Sequence, residues 1–408
     1  MATLDRRLLA AGSNARGQLG IGSYEDSHTF VPASFAGHSD SCLPSAPLAI
    51  SGGANHTLAL LKGTSGSPEL WGTGCGSWGQ LGPNIRSNTT VFRRIRLRGL
   101  EKRRCRLIQA AWETSYAVFS AEGQSDVLIS MGGDDFGDLG VGKGKKGNTS
   151  SRMGYHIVKL DHLLEDVDDN TLCVDRLTAG PHHVVLRLSA NHQRASHRKA
   201  VVVGWGACRH GQLGDVAGLQ GRVPTFFDTP RVIFHDNPSD PVEQCAAGHH
   251  HTVLLRRSGA VSCFGSNRKG QLTGVDGRTG IKAIGCTWHG TYEVDEDDKV
   301  HCTGSNIHGQ LGIGYATSER TESAAAALPS SSTHRLVDFA CGSEHILARL
   351  ETNTWTEVWG WGWNEHGNLG TGSLEDVIVP TKLWPKEGDA PGEVRGIWAG
   401  LATSWIAI

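Results

Sequence analysis

Between Gly53 and Trp112 the chain runs in short apolar blocks separated by glycine and polar residues. His56-Thr57-Leu58-Ala59-Leu60-Leu61 is one block, with a polar turn from Lys62 to Pro68 after it. Glu69-Leu70-Trp71-Gly72-Thr73-Gly74 is a second and ends in glycines, and Thr89 to Ile95 and Cys105 to Ala111 are two more. Blocks this short, bounded by turn formers, predict β-strands rather than helices. The four are expected to form one small antiparallel sheet. Between the second and third, Gly79-Gln80-Leu81-Gly82 reads as a tight turn that drops Leu81 inward.

The same pattern returns along the whole chain. Gly17-Gln18-Leu19-Gly20, Gly79-Gln80-Leu81-Gly82, Gly137-Asp138-Leu139-Gly140, Gly211-Gln212-Leu213-Gly214, Gly270-Gln271-Leu272, Gly309-Gln310-Leu311-Gly312 and Gly367-Asn368-Leu369-Gly370 begin 62, 58, 74, 59, 39 and 58 residues apart. A second phrase travels with it: glycine, then histidine three positions on, then apolar residues. Gly53…His56, Gly180…His183, Gly248…His251 and Gly342…His345 are its clear copies; Ala111…Thr114, Gly285…Trp288 and Gly400…Thr403 are weaker ones. One supersecondary unit is copied seven times, which predicts an array. Small antiparallel sheets repeated radially give an all-β, seven-bladed β-propeller, an arrangement that leaves only short protected edges.

The two ends of the chain fit this reading. Arg7 to Ala11 resembles the strand before each Gly-Gln-Leu turn but has no preceding partner, and Ser404 to Ile408 resembles the strand after each Gly-x-x-His turn but has none following. Pairing the N- and C-terminal strands closes the ring and removes two open edges. A single domain over residues 1–408 is expected, with loop insertions near 143–169, 187–200 and 315–333. The last, Ser- and Ala-rich, reads as a flexible surface loop. Only 15 residues separate Gly270 from Gly285, so that unit should lack ordinary outer strands and leave a notch beside its neighbours.

Composition adds limits. The 54 glycines exceed the roughly 7% of ordinary proteins, and their fixed places mark turns rather than disorder. A net charge of −2 gives no general attraction to nucleic acid or membrane. Ten cysteines with no C-x-x-C pair suit buried reduced thiols and a cytoplasmic or nuclear compartment.

Gly12-Ser13-Asn14-Ala15-Arg16-Gly17-Gln18-Leu19-Gly20-Ile21-Gly22, repeated at Gly265-Ser266-Asn267 and Gly304-Ser305-Asn306, resembles the regulator of chromosome condensation repeat family over essentially the whole chain. The resemblance implies a seven-bladed propeller. Founding members of the family precede the propeller with a basic tail and exchange nucleotide on the Ran GTPase; here the first blade opens at about Arg7. The opening Gly-Ser-Asn, followed by Tyr24-Glu25-Asp26 and Pro32, looks more like the fungal alpha-tubulin suppressor (killer-toxin-insensitivity) type. That likeness implies partnership with a small zinc-binding diphthamide-biosynthesis protein. It also implies support of Elongator-dependent wobble-uridine modification of tRNA and of diphthamide synthesis. The alternative is a guanine-nucleotide exchange factor for a Ran-like small GTPase.

Candidate site residues lie on the turns. The variable pair ahead of each Gly-Gln-Leu would sit at corresponding positions around the ring, displaying Arg16, Trp78, Phe136, Arg209, His210, Lys269, His308 and His366. Solvent-facing aromatics and arginine are typical interface anchors. Trp112, Trp288 and His289, on the other phrase, are candidates near the trimmed unit. The repeated histidines His56, His183, His251 and His345 fall one per blade, so they are read as structural hydrogen-bonding groups within each blade, not a metal cluster. His249-His250-His251 is a weak metal pattern, since successive strand residues face opposite sides. Gly142 to Thr149 nearly spells a phosphate-binding loop but has Asn148 where lysine is required. Gly74 to Gly79 matches the dinucleotide glycines without a βαβ frame. No nucleophile–base pair is evident, so neither an enzyme nor a cofactor or metal is expected.

Overall fold

The computed structural model describes residues 6–38, 43–63, 66–142, 153–193, 198–215, 224–386, 388 and 393–408, without the side chains of 318–322. Those residues form seven antiparallel sheets. The first blade holds Pro47–Gly52, His56–Leu61, Glu69–Gly74 and Thr89–Arg94 from the axis outward. The second holds Arg104–Ala110, Thr114–Ala121, Gln124–Gly132 and His156–Val158; the third Cys173–Ala179, His183–Asn191, Arg198–Ala207 and Phe226–His235. The fourth has Val242–Ala247, His251–Arg256 and Val261–Gly265. The fifth has Ile281–Cys286, Gly290–Asp295, Val300–Asn306 and Thr317–Ala325, and the sixth Arg335–Cys341, His345–Glu351, Thr356–Gly362 and Val377–Trp384.

The seventh blade closes the ring. Gly396–Ala399 and Thr403–Ala407 from one end of the chain continue into Leu8–Gly12 and Ser27–Pro32 from the other. Leu8 faces Ala407, Leu9 faces Ile406 and Gly12 faces Thr403, and Arg7 and Ile408 exchange both backbone hydrogen bonds at 3.1 and 3.0 Å. The seven inner strands line a central channel of about 290 Å³.

The division into blades differs from the sequence expectation by one strand. The strand at Cys105 to Ala111 opens the next blade instead of completing the previous one. Its turn is only two residues long, closed by Ala111 N–H to the Thr114 carbonyl at 2.8 Å, and so short a connection costs less closure entropy than a longer one.

Insertions also resolve differently. Ser318 to Thr333, expected as a flexible loop, begins with the outer strand Thr317–Ala325 of the fifth blade. The register against Val300–Asn306 is interrupted by shifts, so no regular apolar alternation marks that strand in sequence. Within 143–169, residues 143–152, and with them most of the near phosphate-loop pattern, lie outside the described residues; the rest supplies the outer strand His156–Val158 and a 3-10 turn, Asp161–Leu163. The insertion at 187–200 lengthens a hairpin, whose strands run to Asn191 and resume at Arg198, with 194–197 outside the described residues. Among the described residues the fourth blade does lack an outer strand. Its expected notch is filled, because Val275 packs fully buried into the core of that blade and Arg278 reaches Glu293 of the fifth blade at 2.8 Å.

Core packing explains the leucine and last glycine of the repeat. Leu19, Leu81, Leu213, Leu311 and Leu369 are all fully buried between strands. Gly140 and Gly312 both have φ of +67°, and a Cβ there would lie 2.7 and 2.9 Å from the indole nitrogens of Trp205 and Trp361. Those indoles donate to the Asp138 and Gln310 carbonyls at 2.8 and 2.9 Å, so each glycine is a landing site for a buried tryptophan.

Candidate partner-binding face at the mouth of the channel

Both recurrent phrases turn at the same end of the ring, since His56 pairs with Gly74 and Gly74 with Thr89. In each Gly-x-x-His turn the first N–H donates to the fourth carbonyl: Gly53 to His56, Gly180 to His183, Gly248 to His251 and Gly342 to His345, at 2.8–2.9 Å. The glycine is required by the histidine. A Cβ on Gly53, Gly180, Gly248 or Gly342 would come within 2.1 to 2.6 Å of that ring's Cε1. At two of the three turns without the histidine the glycine is lost too, Ala111 with Thr114 and Thr287 with Gly290; Gly400 is kept with Thr403, where a Cβ would lie 2.4 Å from the Thr403 hydroxyl. The fifth turn is thus Thr287 to Gly290, closed at 3.0 Å, and not Gly285 to Trp288 as the sequence spacing suggested. Gly285 sits instead within the inner strand, against Phe339 and Cys341.

The second residues of these turns are laced into a ring around the channel mouth. Ala54 N–H donates to the Trp112 carbonyl and Trp112 to Pro181; His249 donates to Trp288, Trp288 to Ser343 and Ser343 to Leu401, at 2.6 to 3.2 Å. Pro181 has no N–H to pass on. The third residues carry the next ring outward, and their carbonyls accept from the Gly-Ser-Asn turns, as Asn55 does from Cys75 at 2.7 Å and His182 from Ala207 at 2.6 Å.

The glutamine of Gly-Gln-Leu fixes the displayed residue. Its Oε1 accepts the N–H two residues before it: Gln18 from Arg16, Gln80 from Trp78, Gln212 from His210, Gln271 from Lys269 and Gln310 from His308, at 2.8–3.0 Å. Asp138 does the same for Phe136 at 2.9 Å. A constant frame thus holds a variable side chain at six of the seven turns; at the seventh Asn368 instead donates its Nδ2 to the Trp363 carbonyl at 2.7 Å.

These rings bring aromatic and imidazole groups of the second to fifth blades together. Phe136 lies 4.6 Å from His182, which lies 6.0 Å from Trp112 (ring centroids). Trp112 lies 6.1 Å from Trp288, and Trp288 lies 5.4 Å from His249. His249 stacks on His250 at 3.9 Å, and His250 reaches His210 at 4.1 Å. Phe136, His182, Arg209, His210, His249 and His250 enclose a cleft of about 390 Å³. Next to it His289 contacts the buried Glu344, whose other oxygen accepts from Gln310 Nε2 at 2.9 Å.

Burial keeps His210, His249 and His250 uncharged at neutral pH. Desolvation, followed by neighbouring imidazoles, pushes His249 and His250 down to about 4, and desolvation with Arg268 and Arg209 lowers His210. Behind Phe136, desolvation and Asp135 raise Glu113, while His182 Nδ1 lies 3.4 Å from Asp138. The face is a neutral aromatic surface with acidic and basic groups at its edge, suited to protein contact. Among the described residues no group of three His, Cys, Asp or Glu side chains is placed to hold a metal ion.

Of the candidates named from sequence, Trp112, Phe136, Arg209, His210, Trp288 and His289 fall on this one surface. His308 and His366 form a separate small group on either side of Trp363, at 6.4 and 5.4 Å, and bind Asp376 and Asp26 at 2.8 and 2.9 Å. Arg16 and Lys269 are exposed, and Trp78, 63% exposed, borders a separate hollow with Arg86, Asp134 and His156. His182, His249, His250 and Glu344 were not singled out as site residues. They share the second or third turn position with Trp112, Trp288 and His289, which is the signal that could have found them. His249 and His250 lie in a turn, so their rings stack instead of facing opposite sides. The four buried histidines bond across blade boundaries, not inside their blades.

Models of the regulator of chromosome condensation (RCC1) repeat match residues 357–400, 242–271 and 336–368. The chain is 26% identical over 412 residues to the secretion-regulating guanine nucleotide exchange factor of Mus musculus, covering 92% of this chain and 78% of that protein. An RCC1 repeat-containing protein of Schizosaccharomyces pombe is 24% identical over 416 residues, 98% of each chain. Among solved structures, human WBSCR16 matches with a TM-score of 0.70 at 18% identity over 98% of both chains. Prp20p of Saccharomyces cerevisiae, described with its binding properties to Gsp1p and histones, also matches at 0.70 and 18% identity, over 100% of this chain and 92% of its own.

Proposed function

Since this chain is a seven-bladed propeller of the RCC1 repeat family, we propose that it is a non-catalytic interaction propeller that binds a protein partner at the channel mouth. The observation that carries this reading is the contiguous surface of Trp112, Phe136, His182, His249 and Trp288, held by backbone rings and partly open to solvent. Phe136 is 40% and Trp112 36% exposed, and exposed aromatics grouped on a rigid frame are the composition of interface hot spots. The partner we assign is the small zinc-binding diphthamide-biosynthesis protein, in support of Elongator-dependent tRNA modification and diphthamide synthesis. The opening Gly12-Ser13-Asn14 phrase and the likeness to the alpha-tubulin suppressor type support that choice. The compartment is the cytoplasm, with the nucleus as the alternative.

The second reading is guanine-nucleotide exchange on a Ran-like small GTPase, favoured by the mouse relative's name and its span of 92% of this chain. Titrating the purified full chain with each partner separates the two. The scaffold reading expects binding of the diphthamide protein, weakened at least tenfold by Phe136→Ala with Trp288→Ala, and no acceleration of nucleotide release. Accelerated release from the GTPase, with no binding of the diphthamide protein, reverses the assignment.

A further inference from the structure

On the opposite end of the ring the chain concentrates positive charge. Eight of the fourteen residues from Arg93 to Arg106 are arginine or lysine and only Glu101 is acidic, in a chain of net charge −2. The segment crosses from the outer strand of the first blade to the inner strand of the second. It alternates Arg94, Arg96 and Arg98 outward with Ile95 and Leu97 inward, as an extended backbone must. Together with the hairpin end at Ser67 to Leu70 it borders a groove of about 550 Å³.

The cations are not all spent on the fold. Arg94 pairs with Glu69 at 3.1 Å and Arg106 with Asp126 at 2.7 Å. Arg103 donates to the Ser125 carbonyl and to Gln124 at 2.8 and 2.6 Å. Arg96, Arg98 and Lys102 line the groove with no carboxylate in ion-pair range among the described residues. Below them Leu70, Ile95, Leu97, Leu100 and Phe119 form an apolar floor.

We infer that this groove binds an acidic peptide segment in extended conformation, with an apolar side chain seated between its carboxylates. Alternate residues of an extended chain stand about 6.7 Å apart, so outward arginines at i and i+2 meet carboxylates at j and j+2 of a strand laid alongside. Guanidinium forks pair with carboxylates in two parallel hydrogen bonds. The floor decides the class of ligand. A nucleic-acid strand would use the cations but needs exposed ring faces for its bases, and the one aromatic in the groove among the described residues, Phe119, is 7% exposed. This face is independent of the mouth and of the function proposed for it.

Fluorescence anisotropy on the full chain tests it with four labelled probes of about ten units each: an alternating Glu–Leu peptide, its Gln–Leu twin, an all-Glu peptide and oligothymidylate. The Glu–Leu peptide is expected to bind and the Gln–Leu twin to fail. The all-Glu peptide should bind about tenfold more weakly, the worth of burying one leucine. Arg96→Glu with Arg98→Glu should cost at least tenfold at unchanged melting temperature, while Trp288→Ala changes nothing. If the charge reversal unsettles the fold, Arg96→Gln with Arg98→Gln is read in its place. Oligothymidylate binding as tightly as the Glu–Leu peptide, an all-Glu peptide equal to it, or neutral variants of undiminished affinity each overturn the proposal.

Discussion

His56 of the first blade meets Ser115 of the second across the seam between them, Nε2 to Oγ, at 2.8 Å. The same bridge recurs from His183 to Thr252 at 3.2 Å, His251 to Thr291 at 3.2 Å and His345 to Ser404 at 3.1 Å. The histidine of the repeat therefore joins neighbouring blades, and the hydroxyl it needs is carried one position after the equivalent residue of the next blade.

Ser115→Ala should destabilise the fold by about 1–3 kcal/mol, because the buried His56 Nε2 loses its partner. Among the described residues its Nδ1 already has no hydrogen-bond partner. Urea unfolding of Ser115→Ala, His56→Leu and the double variant checks this: the double variant should cost less than the sum of the singles. Strict additivity would show that the bridge contributes nothing.

Acid should unfold this protein well above the carboxylate range. Burial pushes His56, His183 and His251 down to about 3 and His345 to about 4, against about 6.5 in the unfolded chain. A depressed histidine leaves the unfolded state binding more protons, so stability is full above about pH 6.5 and is lost as pH falls. Each contributes a slope of about 1.4 kcal/mol per pH unit, and four together about 5. Glu293 acts in the opposite sense. Desolvation raises it to about 7, so its contribution falls as pH rises from about 4.5 to 7. His249 and His250, also pushed down to about 4, add to the four histidines, while Glu113, also raised, acts with Glu293. The depressed histidines are the more numerous, and the urea midpoint should drop steeply from pH 6.5 to pH 5. A midpoint constant over that window would refute the linkage.

Removing Ile406 to Ile408 should lower the melting temperature steeply. Ile406 is fully buried and sits against Leu9 in the pairing that closes the ring. Ile406→Ala alone should cost about 2–5 kcal/mol; the deletion should cost more, since it also opens two strand edges. An unchanged melting temperature would mean that the seventh blade does not close as described.

Arg278→Ala should be costlier at pH 8 than at pH 6. Arg278 is 2.8 Å from the fully buried Glu293. Without it Glu293 is held protonated more strongly still, and at pH 8 the protein must either keep that proton or bury an unpaired charge, a loss of about 3–5 kcal/mol. Glu293→Gln in the same background should remove the difference between the two pH values. Equal melting shifts at both pH values would show that the pair is not coupled to the fold.

The architecture was legible in the sequence because it repeats. Seven Gly-Gln-Leu turns, strand-length apolar blocks and two unmatched terminal strands carry the blade count and the closure, since each signal is local and copied. Where copies degrade, reading failed: the strand Thr317–Ala325 lies in Ser/Ala-rich sequence with interrupted register, and the fifth turn was set at Gly285 because its glycine and histidine had been lost together. The sequence by itself determined which turns display variable residues, among them Trp112, Phe136 and Trp288. Only the tertiary structure decided that these three share a surface with His182, His249 and His250 while His308 and His366 gather around Trp363. Angular position around a ring sets those distances, and residues many tens of positions apart become neighbours only when the blades close on a common axis. The same closure turned four histidines, expected to serve their own blades, into bridges to the next, because a seam between sheets has no counterpart along the chain.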